Sequence, residues 1–209
     1  MNQEEIRSFL ALDLPENVTC FLEKISSRFK QSRADVRWVN PTSIHLTLKF
    51  LGNINGAQIP DIENTLRPIF SSQSQLQIEI SSIGAFPNLR KPRVIWAGVS
   101  EPSGQLIKMV SLIEDAFDGL GFQRESRSFN PHLTLGRTKS NRDRERLVDL
   151  INSMKPKPNI TFVANRAILF QSILGAAGPR YKALSVFCLN HPDAEILGNE
   201  LNHPHSLKP

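Results

Sequence analysis

One tetrapeptide occurs twice in this chain. His45-Leu46-Thr47-Leu48 returns as His132-Leu133-Thr134-Leu135, 87 positions later. A strand–helix–strand–helix–strand order returns with it, starting at Arg7 and again near Arg93. The shared register points to an internal duplication. A strand accounts for the His-x-Thr-x form, because side chains at i and i+2 share a face. His45 and Thr47 then point one way, Leu46 and Leu48 the other, and the second copy behaves alike. The leucines can enter a core while each polar pair faces a cleft. Halves related by a pseudo-twofold axis would bring both polar pairs to one ligand.

Hydrophobic period predicts the elements around these motifs. Strands are expected at 7–14, 36–39, 44–51, 75–80, 93–99, 132–137, 159–163, 166–173 and 181–188. Helices are expected after Pro15, around 57–70, from Leu106 to Leu120 with Gly121 ending it, and from a Ser140 cap to about 153. Gly52-Asn53 reads as the turn that ends the second HLTL-type strand's counterpart in the first half, the 44–51 strand. The fold class expected from these elements is α+β with two sheets. Residues 1–189 are expected to form one unit, with repeats at roughly 7–83 and 93–173. A tail at 190–209 of weak periodicity is expected to be poorly ordered.

The chain has 209 residues, so several independent domains are excluded. No apolar run approaches the ~20 residues of a membrane helix, and the acidic Met1–Glu5 start does not read as a signal. Two cysteines, Cys20 and Cys188, are too few for a disulfide framework or a cysteine zinc site, which makes the cytoplasm the default compartment. The net charge of +5 favours anionic partners. Much of it gathers between Arg124 and Arg146, which hold seven basic and three acidic residues. No glycine-rich phosphate loop is present.

Two facing histidines suit acid/base chemistry near neutral pH, one ring as base and the other as acid. Phosphoester cleavage needs both roles. Thr47 and Thr134 hydroxyls can donate to phosphate oxygens without a metal. Arg137 can bind the phosphate through its fork of donors. Strict alternation places Arg137 on the face opposite His132, so a bulge near Gly136 must turn it inward. Zinc is the competing chemistry, but two histidines are too few ligands and no HExxH is present. His191, His203 and His205 read as tail residues.

At these residues the chain resembles the two-histidine (2H) phosphoesterase superfamily, and within it the bacterial and archaeal RNA 2′,3′-cyclic phosphodiesterases, also called 2′-5′ RNA ligases. The resemblance runs over most of 6–188 and includes RSFLALDLP at 7–15, VRWVNPTSIHLTLKFLG at 36–52, FPNLRKPRVIWAGV at 86–99, FNPHLTLGR at 129–137 and GPRYKALSVF at 178–187. It implies a bilobal, pseudo-twofold duplicated α+β fold of two antiparallel sheets flanked by helices with the active-site cleft between them, and a metal-independent, cofactor-free hydrolysis of RNA 2′,3′-cyclic phosphate ends to 2′-phosphomonoesters. It also implies that His45 is the proton donor to the leaving 3′ oxygen and His132 the acceptor from water. Thr47, Thr134 and Arg137 would hold the phosphate.

Neighbouring residues are open between two roles. Phe9 stacks a base or packs in the core. Lys49 meets the RNA backbone or is an exposed strand-end lysine. Arg90, Lys91 and Arg93 touch phosphate or serve solubility. Trp38, Trp96 and Tyr181 are expected to pack. The expected partner is RNA, or a nucleotide, with a 2′,3′-cyclic phosphate, and the expected state is a monomer away from membranes. The alternatives are 2′-5′ joining or cleavage by the same histidines, and a non-catalytic RNA-binding protein using the 124–146 stretch.

Overall fold

A computed structural model describes residues 5–154, 159–175 and 178–190. The elements are β1 (Glu5–Leu12), α1 (Glu16–Lys30), β2 (Val36–Trp38), β3 (Leu46–Asn55), α2 (Ile59–Ser71), β4 (Leu76–Phe86), β5 (Val94–Ser100), α3 (Gln105–Gly119), β6 (His132–Thr138), α4 (Arg144–Asn152), β7 (Ile160–Ala164), β8 (Arg166–Gly175) and β9 (Gly178–Cys188). The helices form where apolar residues recur at helical spacing. Val18, Leu22, Ile25 and Phe29 are the buried stripe of α1, and Leu106, Met109, Ile113 and Phe117 that of α3. These stripes join Leu46, Leu48, Leu133 and Leu135 in one continuous core. Full burial of each such side chain contributes roughly 1.5–3 kcal/mol.

Every strand pairing is antiparallel, in the order β7-β4-β5-β6-β3-β1-β8-β9, with β2 added on β6. The two expected sheets are the two halves of this order. They are joined at a single residue pair, Leu46 with Leu133. The sequence repeats do not coincide with these halves. The first repeat ends in β4, which pairs with β5 and β7 of the other half. The second reaches β8, which returns to β1.

Three differences from expectation have a local physical cause. Gly52-Asn53 does not end β3, which continues to Asn55. Gly52 instead pairs with Ser8 at φ 71, beside an extra residue, Leu51, in a bulge. Strand β4 outlasts residue 80 because a second bulge at Ser81 shifts the phase of its apolar positions, from Leu76, Ile78 and Ile80 to Ile83 and Ala85. Ser140 does not cap α4. Its hydroxyl accepts from the Arg142 N–H at 3.3 Å, within the turn before the helix, and Asp143 takes the cap position.

Asn190 pairs with Ser74, adding the last described residue to the fold. The rest of the expected tail, with His191, His203 and His205, lies outside the described residues.

Candidate active site

The join between the two halves of the sheet is also where the polar pairs meet. In an antiparallel pair the flanking residues follow in opposite directions. Leu46 opposite Leu133 therefore brings Thr47 across from His132 and His45 across from Thr134. All four lie on the face away from the buried leucines.

Both histidines are held in the same way. His45 Nδ1 lies 2.9 Å from the Ser43 carbonyl and His132 Nδ1 lies 2.7 Å from the Asn130 carbonyl. A carbonyl only accepts, so each Nδ1 carries the proton and each Nε2 is left to exchange one. Both carbonyls belong to segments with an Asn-Pro step, Asn40-Pro41 and Asn130-Pro131. In the first, the Asn40 side chain accepts from the Thr42 N–H at 3.2 Å and caps a short 3-10 turn, Pro41–Ser43, that leads into His45.

The surroundings of the two rings differ. His45 stacks on Phe9, with centroids 4.6 Å apart, and meets the edge of Tyr181 at 5.1 Å. Burial pushes its imidazole below the ordinary value, against the raising effect of the Ser43 carbonyl. His132 meets Phe86 edge-on at 4.9 Å.

Each tetrapeptide ends in a bulge. Leu48 is the extra residue between Thr47, paired with Ala11, and Lys49, paired with Leu10. Leu135 is the extra residue between Thr134, paired with Trp96, and Gly136, paired with Ile95. Alternation therefore changes phase at equivalent points of β3 and β6. The bulge in β6 turns Arg137 onto the face of His132 and Thr134. Its charge, with that of Arg7, reaches the Tyr181 phenol, lowering a pKa that burial raises more strongly. In β3 the same change turns Phe50 onto the cleft face, and Lys49 away from it.

Lys49 is thus not a candidate for the RNA backbone, nor an exposed strand-end lysine. Its side chain is 3% exposed, and its ammonium donates to Glu114 Oε2 at 2.6 Å and to the Gln123 carbonyl at 3.2 Å. Phe9 is 3% exposed beneath His45, Phe170 and Tyr181, so it backs a histidine and has no free face for a base. Nothing in the sequence pattern marks Phe50, yet it is 68% exposed, with its ring 6.0 Å from Phe9. It stands in a groove of about 870 Å³ that begins at Thr47 and His132 and continues past Phe122 and Phe129.

Tyr181, expected only to pack, is half-buried against His45. Trp38 packs on Phe29, as expected. Trp96 packs on Phe86, but on the cleft face, beside Thr134. Arg90 and Lys91 are exposed in the β4–β5 loop, where both backbone N–H groups donate to the Asn88 side chain. In the basic stretch, Arg124 pairs with Asp115, Arg127 with Glu125 and Arg146 with Asp143. Among the described residues no group of three or more His, Cys, Asp or Glu side chains is placed to hold a metal ion. No helix among them is long and apolar enough to cross a membrane.

An α+β fold with a curled antiparallel sheet and two His-x-Thr strands meeting at its centre defines a class of two-histidine proteins. The family model of the 2′-5′ RNA ligase superfamily matches residues 19–173. The chain belongs to this superfamily. It is 34% identical over 185 residues to the RNA 2′,3′-cyclic phosphodiesterase of Methanothermobacter thermautotrophicus, covering 88% of this chain and 100% of that protein. The protein of the same name from Bacillus subtilis is 31% identical, over 74% of this chain and 81% of its own length. Among solved structures, Escherichia coli LigT complexed with 3′-AMP is similar with a TM-score of 0.72 and 25% identity, over 90% of this chain and 100% of that one.

Proposed function

We propose that this protein hydrolyses RNA 2′,3′-cyclic phosphate ends to 2′-phosphomonoesters by two-histidine acid/base catalysis without a metal. The observation that carries the reading is the meeting of the two His-x-Thr strands at Leu46–Leu133, each histidine with Nδ1 on a backbone carbonyl and with no hydrogen bond at Nε2 among the described residues. The relatives named RNA 2′,3′-cyclic phosphodiesterase support the choice of substrate.

Water attacks phosphorus and gives its proton to His132 Nε2. The P–O3′ bond breaks, and the departing 3′ oxygen takes a proton from His45 Nε2. The product is a 2′-phosphate with a free 3′ hydroxyl, and the two rings then exchange their proton states through solvent. Thr47 and Thr134 donate to the non-bridging oxygens, and Arg137 offsets the charge that gathers on them. In the joining direction the two histidines exchange roles. Hydrolysis prevails because water is abundant, whereas joining requires two RNA ends ordered in one cleft.

Phe50 supplies the base-stacking surface in this reading, in place of Phe9. The groove it lines has the size of a small-ligand pocket, roughly 300–1,000 Å³. Residues 1–189 act as one catalytic unit in this reading. The enzyme works as a monomer, since one chain builds the whole cleft, and in the cytoplasm, where its exposed Cys20 and Cys188 remain thiols.

The test is turnover of an RNA oligonucleotide ending in a 2′,3′-cyclic phosphate. His45→Ala and His132→Ala should each lose about 10²–10⁴ in kcat while circular dichroism and Tm stay near wild type. Phe50→Ala should raise KM about ten-fold with kcat little changed, the loss of one base–aromatic stack. Retained turnover in either histidine variant contradicts the reading.

A further inference from the structure

Arg37, on β2, stands directly opposite Arg137, on β6. Both side chains are exposed, and neither joins an ion pair among the described residues. Like charges facing each other across a sheet are destabilising. Here they are brought together by a close approach of two strands, since a Cβ on Gly136 would lie 2.7 Å from Val36 Cγ1. Arg37 then extends toward the β8–β9 hairpin, where a Cβ on Gly178 would lie 3.4 Å from its Nη2. Tyr181, three residues beyond Gly178, is the phenol that feels Arg137 and Arg7. The contrast with the 124–127 side of the cleft is sharp. There the arginines are already neutralised by Asp115 and Glu125, and the groove offers rings more than free charge.

We infer that Arg37 binds a second phosphate of the RNA, the one preceding the cyclic end, and so makes the site selective for RNA strands over nucleoside 2′,3′-cyclic phosphates. This rests on the function proposed above. Arg137 is committed to the reacting phosphate, and Arg37 presents an unpaired guanidinium one strand away on the same face. Adjacent strands lie about 4.8 Å apart, and each guanidinium stands at the end of a long stem that can spread it further. An RNA end carries an anion at both places. A nucleoside 2′,3′-cyclic phosphate carries only the reacting one.

The experiment compares Arg37→Gln and Arg37→Lys with wild type on an RNA oligonucleotide ending in a 2′,3′-cyclic phosphate and on adenosine 2′,3′-cyclic monophosphate. For Arg37→Gln the expected result is a KM for the oligonucleotide raised about ten-fold at low salt, and a kcat/KM for the nucleoside substrate within about two-fold of wild type. Arg37→Lys should recover part of the loss. The slope of log K against log salt, read by equilibrium binding of an RNA ending in a 2′-phosphate, should become shallower by about 0.7. Equal loss on both substrates, no loss on either, or an unchanged slope overturns the inference. If the wild type turns over neither substrate, the proposed function fails, and the binding slope still decides the role of Arg37.

Discussion

His45 lies packed among Phe9, Phe170 and Tyr181, and that packing decides its proton affinity. In the proposed mechanism His45 must carry its proton before the 3′ oxygen leaves, yet burial holds it below the ordinary histidine value. The alkaline limb of kcat/KM, which reports the free enzyme, should therefore fall below about pH 6.5. The limb of kcat should lie higher, because a bound phosphate favours the imidazolium. Phe9→Ala opens the ring to water and should move the kcat/KM limb upward, a shift that a pH–rate profile reads directly. Stability follows with the same sign. The unfolded chain takes up this proton more readily than the folded one, so folding loses stability as pH falls through the ordinary histidine value toward the lowered one. The two roles separate by leaving group. An aryl phosphodiester needs no proton donor, so His45→Ala should lose much less on it than on RNA, whereas His132→Ala should lose as much on both. Equal losses in the two variants would remove the donor and acceptor assignment.

The pair of bulges at Leu48 and Leu135 governs what each HxTx strand presents beyond its motif. They make Phe50 and Arg137 counterparts, an aromatic on one side of the cleft and a guanidinium on the other. The bulge in β3 also buries Lys49 against Glu114 of α3, and Glu114 Oε2 accepts in turn from the Glu125 N–H at 3.2 Å. One ion pair thus ties β3 to the loop that carries Asn130, the partner of His132. Removing one member of a buried pair leaves the other unpaired, so Lys49→Met should destabilise the fold by about 3–5 kcal/mol, and Lys49→Met with Glu114→Leu should recover most of it. Denaturant melts of the single and double variants check this. Most strands are legible in the sequence because alternation and β-branched residues mark them, and the shared face of His45, Thr47, His132 and Thr134 because the motif repeats in register. The bulges are not. A bulge inserts one residue relative to a partner strand, and which strand is the partner is a tertiary fact. That is why strict alternation puts Lys49 on the face of His45 and Thr47, whether against RNA or in solvent, gives Phe50 no signal, and brings Arg137 to the cleft only if a bulge turns it. The Asn-Pro step before both histidines was readable all along, as a second repeated signal.

At the scale of the molecule, the two repeats exchange strands. β4 leaves the first repeat to complete the sheet of the second, and β8 makes the return. Neither half carries a complete sheet by itself, and the only ladder contact between the inner strands is the leucine pair beside the four polar side chains. The same duplication that builds the core therefore builds a site with one histidine from each half. Its charge is unevenly paired: in the basic stretch Arg124, Arg127 and Arg146 join ion pairs, whereas Arg137, like Arg37 and Arg7, joins none among the described residues. The central claim is that these two strands hydrolyse a cyclic phosphate by proton transfer alone. The most direct measurement is a single turnover of RNA ending in a 2′,3′-cyclic phosphate, in EDTA and ¹⁸O-labelled water, with the product end identified. The account predicts one labelled oxygen in a 2′-phosphomonoester and a rate indifferent to EDTA. A 3′-phosphate product, or turnover that appears only when a divalent metal is restored, would contradict it.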